Sequence, residues 1–159
     1  MLKRTGLTVA CHQARTIANY LELRAVAPDL PIIPVLQGWA LTDYWRHVEA
    51  YYAAGVDLGS LPLVGVGTVC RRQSTSMATA LLGSLKAEGL KLHGFGFKLQ
   101  GLRASAGSLE SADSMAWSYN ARRNPPRAEC SHMNCANCLP YALEWREKIQ
   151  GLLPNAEAS

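Results

Sequence analysis

The chain has 159 residues, 48% hydrophobic and 18% charged, a composition that fits a single folded domain with a real core and excludes a disordered tail. No apolar run reaches the roughly 18–20 residues of a membrane-spanning helix. The basic start MLKRTGLTVACHQARTIANY is broken by polar residues too early for a signal peptide, so a cytoplasmic protein with no membrane partner is expected. The net charge of +4, from 11 Arg and 5 Lys against 12 acids, is too modest to establish nucleic-acid binding; its distribution matters more.

In chain order, HQARTIANYLELRAVA (12–27) predicts a helix with Ile17, Leu21 and Ala25 on one stripe, ended by the prolines of APDLP. IIPVLQG (32–38) is a short apolar run expected to be a buried strand. A helix over 41–54 follows, capped by Thr42 or Asp43, with Leu41, Tyr44, Trp45, Val48 and Tyr52 at helical spacing and Gly55 as its stop. LPLVGVGTV (61–69) predicts a second strand. The segment 74–89 predicts a helix capped by Ser74 or Ser76, carrying Met77, Leu81 and Leu85, and closed by Gly89. LKLHGFGF (90–97) predicts a third strand, then a helix or loop runs to about 110. ADSMAW (112–117) predicts a fourth strand, and 138–153 a last helix with a frayed tail.

Apolar strands alternating with amphipathic helices every 25–30 residues, roughly, argue for a parallel α/β sheet covered by helices. Both a doubly wound sheet and part of a (β/α)8 barrel fit, and four strands make only half of such a barrel. Neither GxGxxG nor GxxxxGK[ST] occurs, so the nucleotide-binding loops are missing.

Two segments carry chemistry. NARRNPPR (120–127) holds three Arg and no acid beside the lone carboxylate Asp113, which suits a substrate with a phosphate backbone. CSHMNCANC (130–138) sets Cys130, His132, Cys135 and Cys138 within nine residues. The Cys135-x2-Cys138 pair has chelate spacing, and three sulfurs with one imidazole would close a tetrahedral structural zinc site. Arg71, Arg72, Arg122 and Arg123 are candidate phosphate contacts, and Trp117 and Tyr119 candidate stacking residues. Cys11 and Cys70 stand alone in the sequence.

Taken in order, IPVLQGW, LVGVGTVCRR, LHGFGFK and SADSMAWSYNARR resemble the second half of a tRNA-guanine transglycosylase. The resemblance is closer to the DpdA-type deazapurine DNA-modification transglycosylases of phages and bacterial genomic islands. It covers roughly residues 7–150 and implies the C-terminal half of a (β/α)8 barrel with a zinc-binding segment over about 128–140. It also implies exchange of guanine in DNA, or alternatively in tRNA, for a 7-deazaguanine base through a covalent carboxylate–sugar intermediate. Asp113 would be the nucleophile. Gln37 would read the purine edge, with Gly38, Gly65 and Gly67 admitting the base to the backbone and His93 lining the barrel mouth. The family's cysteine pattern is CxCxxC with a distant His; this chain carries Met133 instead of one of those cysteines. The family's other acids lie in the first half of the barrel. A half barrel with bare sheet edges is therefore expected to pair with an N-terminal half chain or with a second copy. A zinc-stapled nucleic-acid-binding module without catalysis, or an inactive remnant, is the alternative.

Overall fold

A computed structural model describes residues 5–68 and 75–151. Its elements are helix α1 (Val9–Val26), strand β1 (Val35–Leu36), α2 (Leu41–Ala53), β2 (Val64–Val66), α3 (Ser76–Ala87), β3 (Leu92–Gly94), α4 (Leu99–Ser105), β4 (Ser111–Ala112), α5 (Ala116–Ala121) and α6 (Leu139–Gln150). The four strands form one parallel sheet in the order β1-β2-β3-β4. Sequential order with right-handed crossovers puts successive helices on the same face. The doubly wound alternative needs a reversal of strand order, and the described residues contain none.

The buried core lies between the sheet and those helices. Leu36, Val64, Val66 and Leu92 have no exposed surface and pack with Tyr44, Val48 and Tyr51 of α2 and Leu81, Leu82 and Leu85 of α3. The registers Val35↔Gly65↔His93↔Ser111 place one residue of each strand on the opposite face. Two residues further on, the same alternation sets Gln37, Gly67, Phe95 and Asp113 at the C-terminal end of the sheet, where α/β proteins place their binding sites.

The predicted helices form, but their buried stripes are turned. In α1 the buried residues are Gln13, Ile17 and Tyr20, and Leu21 is exposed; in α3 they are Ala78, Leu81, Leu82 and Leu85, and Met77 is exposed. In α2, His47 and Tyr51 are buried while Leu41 and Tyr52 face out. The reason is polar. Val35 N–H donates to Tyr51 Oη at 3.2 Å, and the hydroxyl returns its proton to Val35 C=O at 3.4 Å. Gln37 N–H donates to His47 Nδ1 at 3.0 Å, and Gln37 C=O accepts from Gln13 Nε2 at 2.6 Å. Because Pro34 and Leu36 give their carbonyls to β2, the Val35 groups point to the outer edge of the sheet. There the Tyr51 hydroxyl meets both of them.

Asp43 caps α2, its Oδ2 accepting the N–H groups of Trp39 and Ala40 at 2.9 Å each. These bonds, that of Ala40 first, hold its carboxyl below the usual range. Thr75, not Ser76, caps α3 through Ala78 N–H, and Ser74 lies outside the described residues. The fourth strand is shorter than expected. It stops at Ala112, Ser114 Oγ accepts Ala116 N–H, and Trp117 and Tyr119 belong to a helix.

Candidate active site and metal centre

Asp113 is exposed just beyond β4. Its Oδ1 accepts the Gly96 main-chain N–H at 2.6 Å, and its own main chain is pinned by Asp113 N–H to Gly94 C=O and Phe97 N–H to Asp113 C=O. Oδ2 has no partner among the described residues. Gly96 sits at φ +67°, a conformation that suits glycine and turns its N–H toward the carboxylate. The arrangement fixes one carboxylate oxygen, and no described residue holds the other.

Gln37 lies at the same end of the sheet, three strands away, roughly 14 Å across at ordinary strand spacing. Its main chain is held by His47 and Gln13, while its half-buried side-chain amide makes no hydrogen bond among the described residues. His93 is half-buried on the same face; its Nδ1 pairs with Ser111 Oγ at 2.8 Å and its ring meets Phe95 edge-on at 4.6 Å. Gly65 lies beneath the Phe95 ring, where a Cβ would come within 2.5 Å of it; Gly67 has looser surroundings. Gly38 is buried against Asp43 and Tyr44, with a Cβ reaching 2.7 Å from that of Asp43, so packing alone demands glycine there. Sequence reasoning passed over Trp39, which is 64% exposed at this rim, and His47, whose role is visible only through the backbone atom it holds.

Beside β4, a cavity of about 390 Å³ is lined by Asp113, Ser114 and Trp117 together with Trp145, Arg146 and Ile149 of α6. Trp117 therefore faces α6. Tyr119 is exposed, and the Arg123 guanidinium lies 3.7 Å from its ring centre. Arg122 is exposed at the end of α5. The third arginine of the basic segment is not free, since Arg127 pairs with Glu129 and Glu144. Glu144 also holds Lys148 at 2.6 Å, and these partners, Lys148 first, keep its carboxyl below the usual range. Arg71, Arg72 and Cys70 lie outside the described residues.

The cysteine segment converges. One ligand atom from each of Cys130, His132, Cys135 and Cys138 lies within 4.8 Å of the others. Cys130 Sγ and Cys138 Sγ are 3.8 Å apart, and His132 Nε2 is 3.2 Å from Cys135 Sγ. The sulfur pair is far beyond disulfide length and close to the ~3.8 Å edge of a tetrahedron with metal–sulfur bonds near 2.3 Å. The donor set therefore fits a tetrahedral metal ion, and the four residues could bind one. Met133 is 90% exposed and stands outside the cluster. Burial, then hydrogen bonds to Cys138 and Cys135, pushes the metal-free Cys130 thiol up to about 11, while the Tyr141 N–H holds that of Cys138 below its usual range. Arg127 N–H donates to Cys135 Sγ at 3.4 Å, so the same residue ties the cluster to α6 through Glu144.

Fold and site together define an α/β protein with a one-sided parallel sheet, an exposed, main-chain-anchored carboxylate at its C-terminal rim and a Cys3His cluster. The chain belongs to the DpdA family, described as DeoxyPurine in DNA protein A, whose model matches residues 1–157. No curated protein and no solved structure matches the chain. Among the described residues, no helix is long and apolar enough to cross a membrane.

Proposed function

We propose that this chain carries the nucleophilic half of a DNA base-exchange transglycosylase, which replaces guanine with a 7-deazaguanine derivative. The observation that carries the reading is Asp113, an exposed carboxylate with one oxygen anchored by Gly96 N–H and the other unpaired among the described residues, in a chain of the DpdA family. That second oxygen attacks C1′ of the deoxyribose. The C1′–N9 bond breaks, guanine leaves with the bonding pair and is protonated, and an Asp113–sugar ester remains. The incoming 7-deazaguanine loses a proton from N9 and attacks C1′, which frees the carboxylate. Gln37 faces the base and offers both a donor and an acceptor. His93, Gly65 and Gly67 line the same face, and Arg122 and Arg123 contact phosphate.

The four-stranded sheet is half of a (β/α)8 barrel, and the general acid and base come from an N-terminal half. Cys130, His132, Cys135 and Cys138 hold zinc, whose chemistry here is structural: it crosslinks the loop before α6. The test is release of labelled guanine from DNA in the presence of a 7-deazaguanine base, with the N-terminal half supplied. Release from DNA and not from tRNA supports the reading, and release from tRNA alone turns it toward tRNA modification. A second reading, a metal-stapled nucleic-acid-binding module without catalysis, is favoured by the Arg123–Tyr119 stack beside exposed Arg122. It predicts salt-sensitive binding that ignores Asp113.

A further inference from the structure

We propose that His47 and Gln13 are positioning residues that fix the main chain of Gln37 and so aim its side chain; this rests on the reading of Gln37 as the group that faces the base. His47 has no exposed surface, stacks on Tyr51 with ring centres 4.9 Å apart, and accepts Gln37 N–H on Nδ1. An imidazole that accepts on Nδ1 and stays neutral must carry its proton on Nε2. That Nε2 is buried and has no hydrogen-bond partner among the described residues. A buried polar atom left unpaired is costly, so the position is not explained by packing, which a leucine would serve at lower cost. What His47 supplies is an acceptor rigidly aimed at one backbone atom. Gln13 completes the clamp by donating both to Gln37 C=O at 2.6 Å and to Asp43 C=O at 2.8 Å, tying the end of β1 to the start of α2. Tyr44 Oη donates to Gly67 C=O at 2.9 Å, extending the same support to the end of β2. Beyond the last strand bond, every polar group of the Gln37 main chain is thus held by a helix side chain, while its own amide makes no hydrogen bond among the described residues.

Amide hydrogen exchange read by NMR at Gln37, together with affinity for a 7-deazaguanine base, tests this in His47→Leu, His47→Asn, Gln13→Glu and Gln37→Ala chains. Asparagine Oδ1 can take the place of Nδ1. Exchange at residue 37 should rise at least tenfold in His47→Leu and Gln13→Glu and return toward the wild-type rate in His47→Asn. Base affinity should fall about tenfold in the first two, as expected for one lost hydrogen bond, and recover in the third. A structural role alone would not be rescued selectively by asparagine. Unchanged exchange in His47→Leu, or an asparagine variant no better than leucine, overturns the clamp. Gln37→Ala keeps the main-chain N–H, so it separates the two claims: slow exchange with lost affinity supports both, and slow exchange with wild-type affinity overturns base reading by Gln37 while the clamp stands on the exchange result.

Discussion

Asp113 and Gly96 are joined across the rim of β3 and β4 by a 2.6 Å hydrogen bond from the glycine N–H to carboxylate Oδ1. The bond exists because residue 96 adopts φ +67°. Gly96→Ala should therefore cost about 1 kcal/mol of stability and loosen the carboxylate. A denaturant melt should show the destabilisation, and the rate of covalent capture should fall with it.

Acid should destabilise the fold in two windows. Burial first of all lowers the His47 ring from 6.5 to about 4, against the smaller opposing effect of the Gln37 and Gln13 main chains. Above pH 6.5 the ring is neutral folded and unfolded. As pH falls from 6.5 toward 4 the unfolded chain takes up a proton that the folded chain refuses, so stability declines, by on the order of 3 kcal/mol. Asp43 acts lower: its depressed carboxyl contributes stability above 3.8 that is lost as pH falls through its folded value. Melting temperature against pH should flatten between 6.5 and 4 in His47→Asn.

Metal removal should loosen one end of the molecule. The cluster and the Arg127–Glu144 pair hold α6, which has no buried residue of its own. Metal analysis should find one zinc per chain, and a strong chelator or Cys135→Ser should speed hydrogen exchange over 127–150 while β1–β3 stay protected. Full protection of α6 after metal loss would show that the cluster is not its anchor.

The exposed arginines should govern salt dependence. Arg122→Ala with Arg123→Ala should lower the slope of log affinity against log salt by about 2 for duplex DNA. Arg127→Ala should instead reduce stability, because its charge is already matched by Glu129 and Glu144.

The sequence discloses the alternation of strands and helices because buried parallel strands are short apolar runs, as in LPLVGVGTV, and α2 begins at the predicted residue. It also discloses the Cys3His cluster, since all four residues that could bind a metal fall within one nine-residue segment. It conceals the clamp. Gln13 and His47 carry no signal of that role until the backbone of residue 37 is placed beside them. The same blindness turned the stripe of α2, where an apolar count selects Tyr52 and the structure buries Tyr51 for its hydroxyl. The short helix after Ser114 reads as strand in the sequence because six residues carry too little periodicity to separate the two.

The most direct test is to incubate the chain and its N-terminal complement with guanine-containing DNA, quench, and map any nucleic-acid adduct by peptide mass spectrometry. The account predicts an adduct on the peptide containing Asp113, lost in a folded Asp113→Asn chain. An adduct that persists in Asp113→Asn, or base exchange proceeding in that variant, would contradict it.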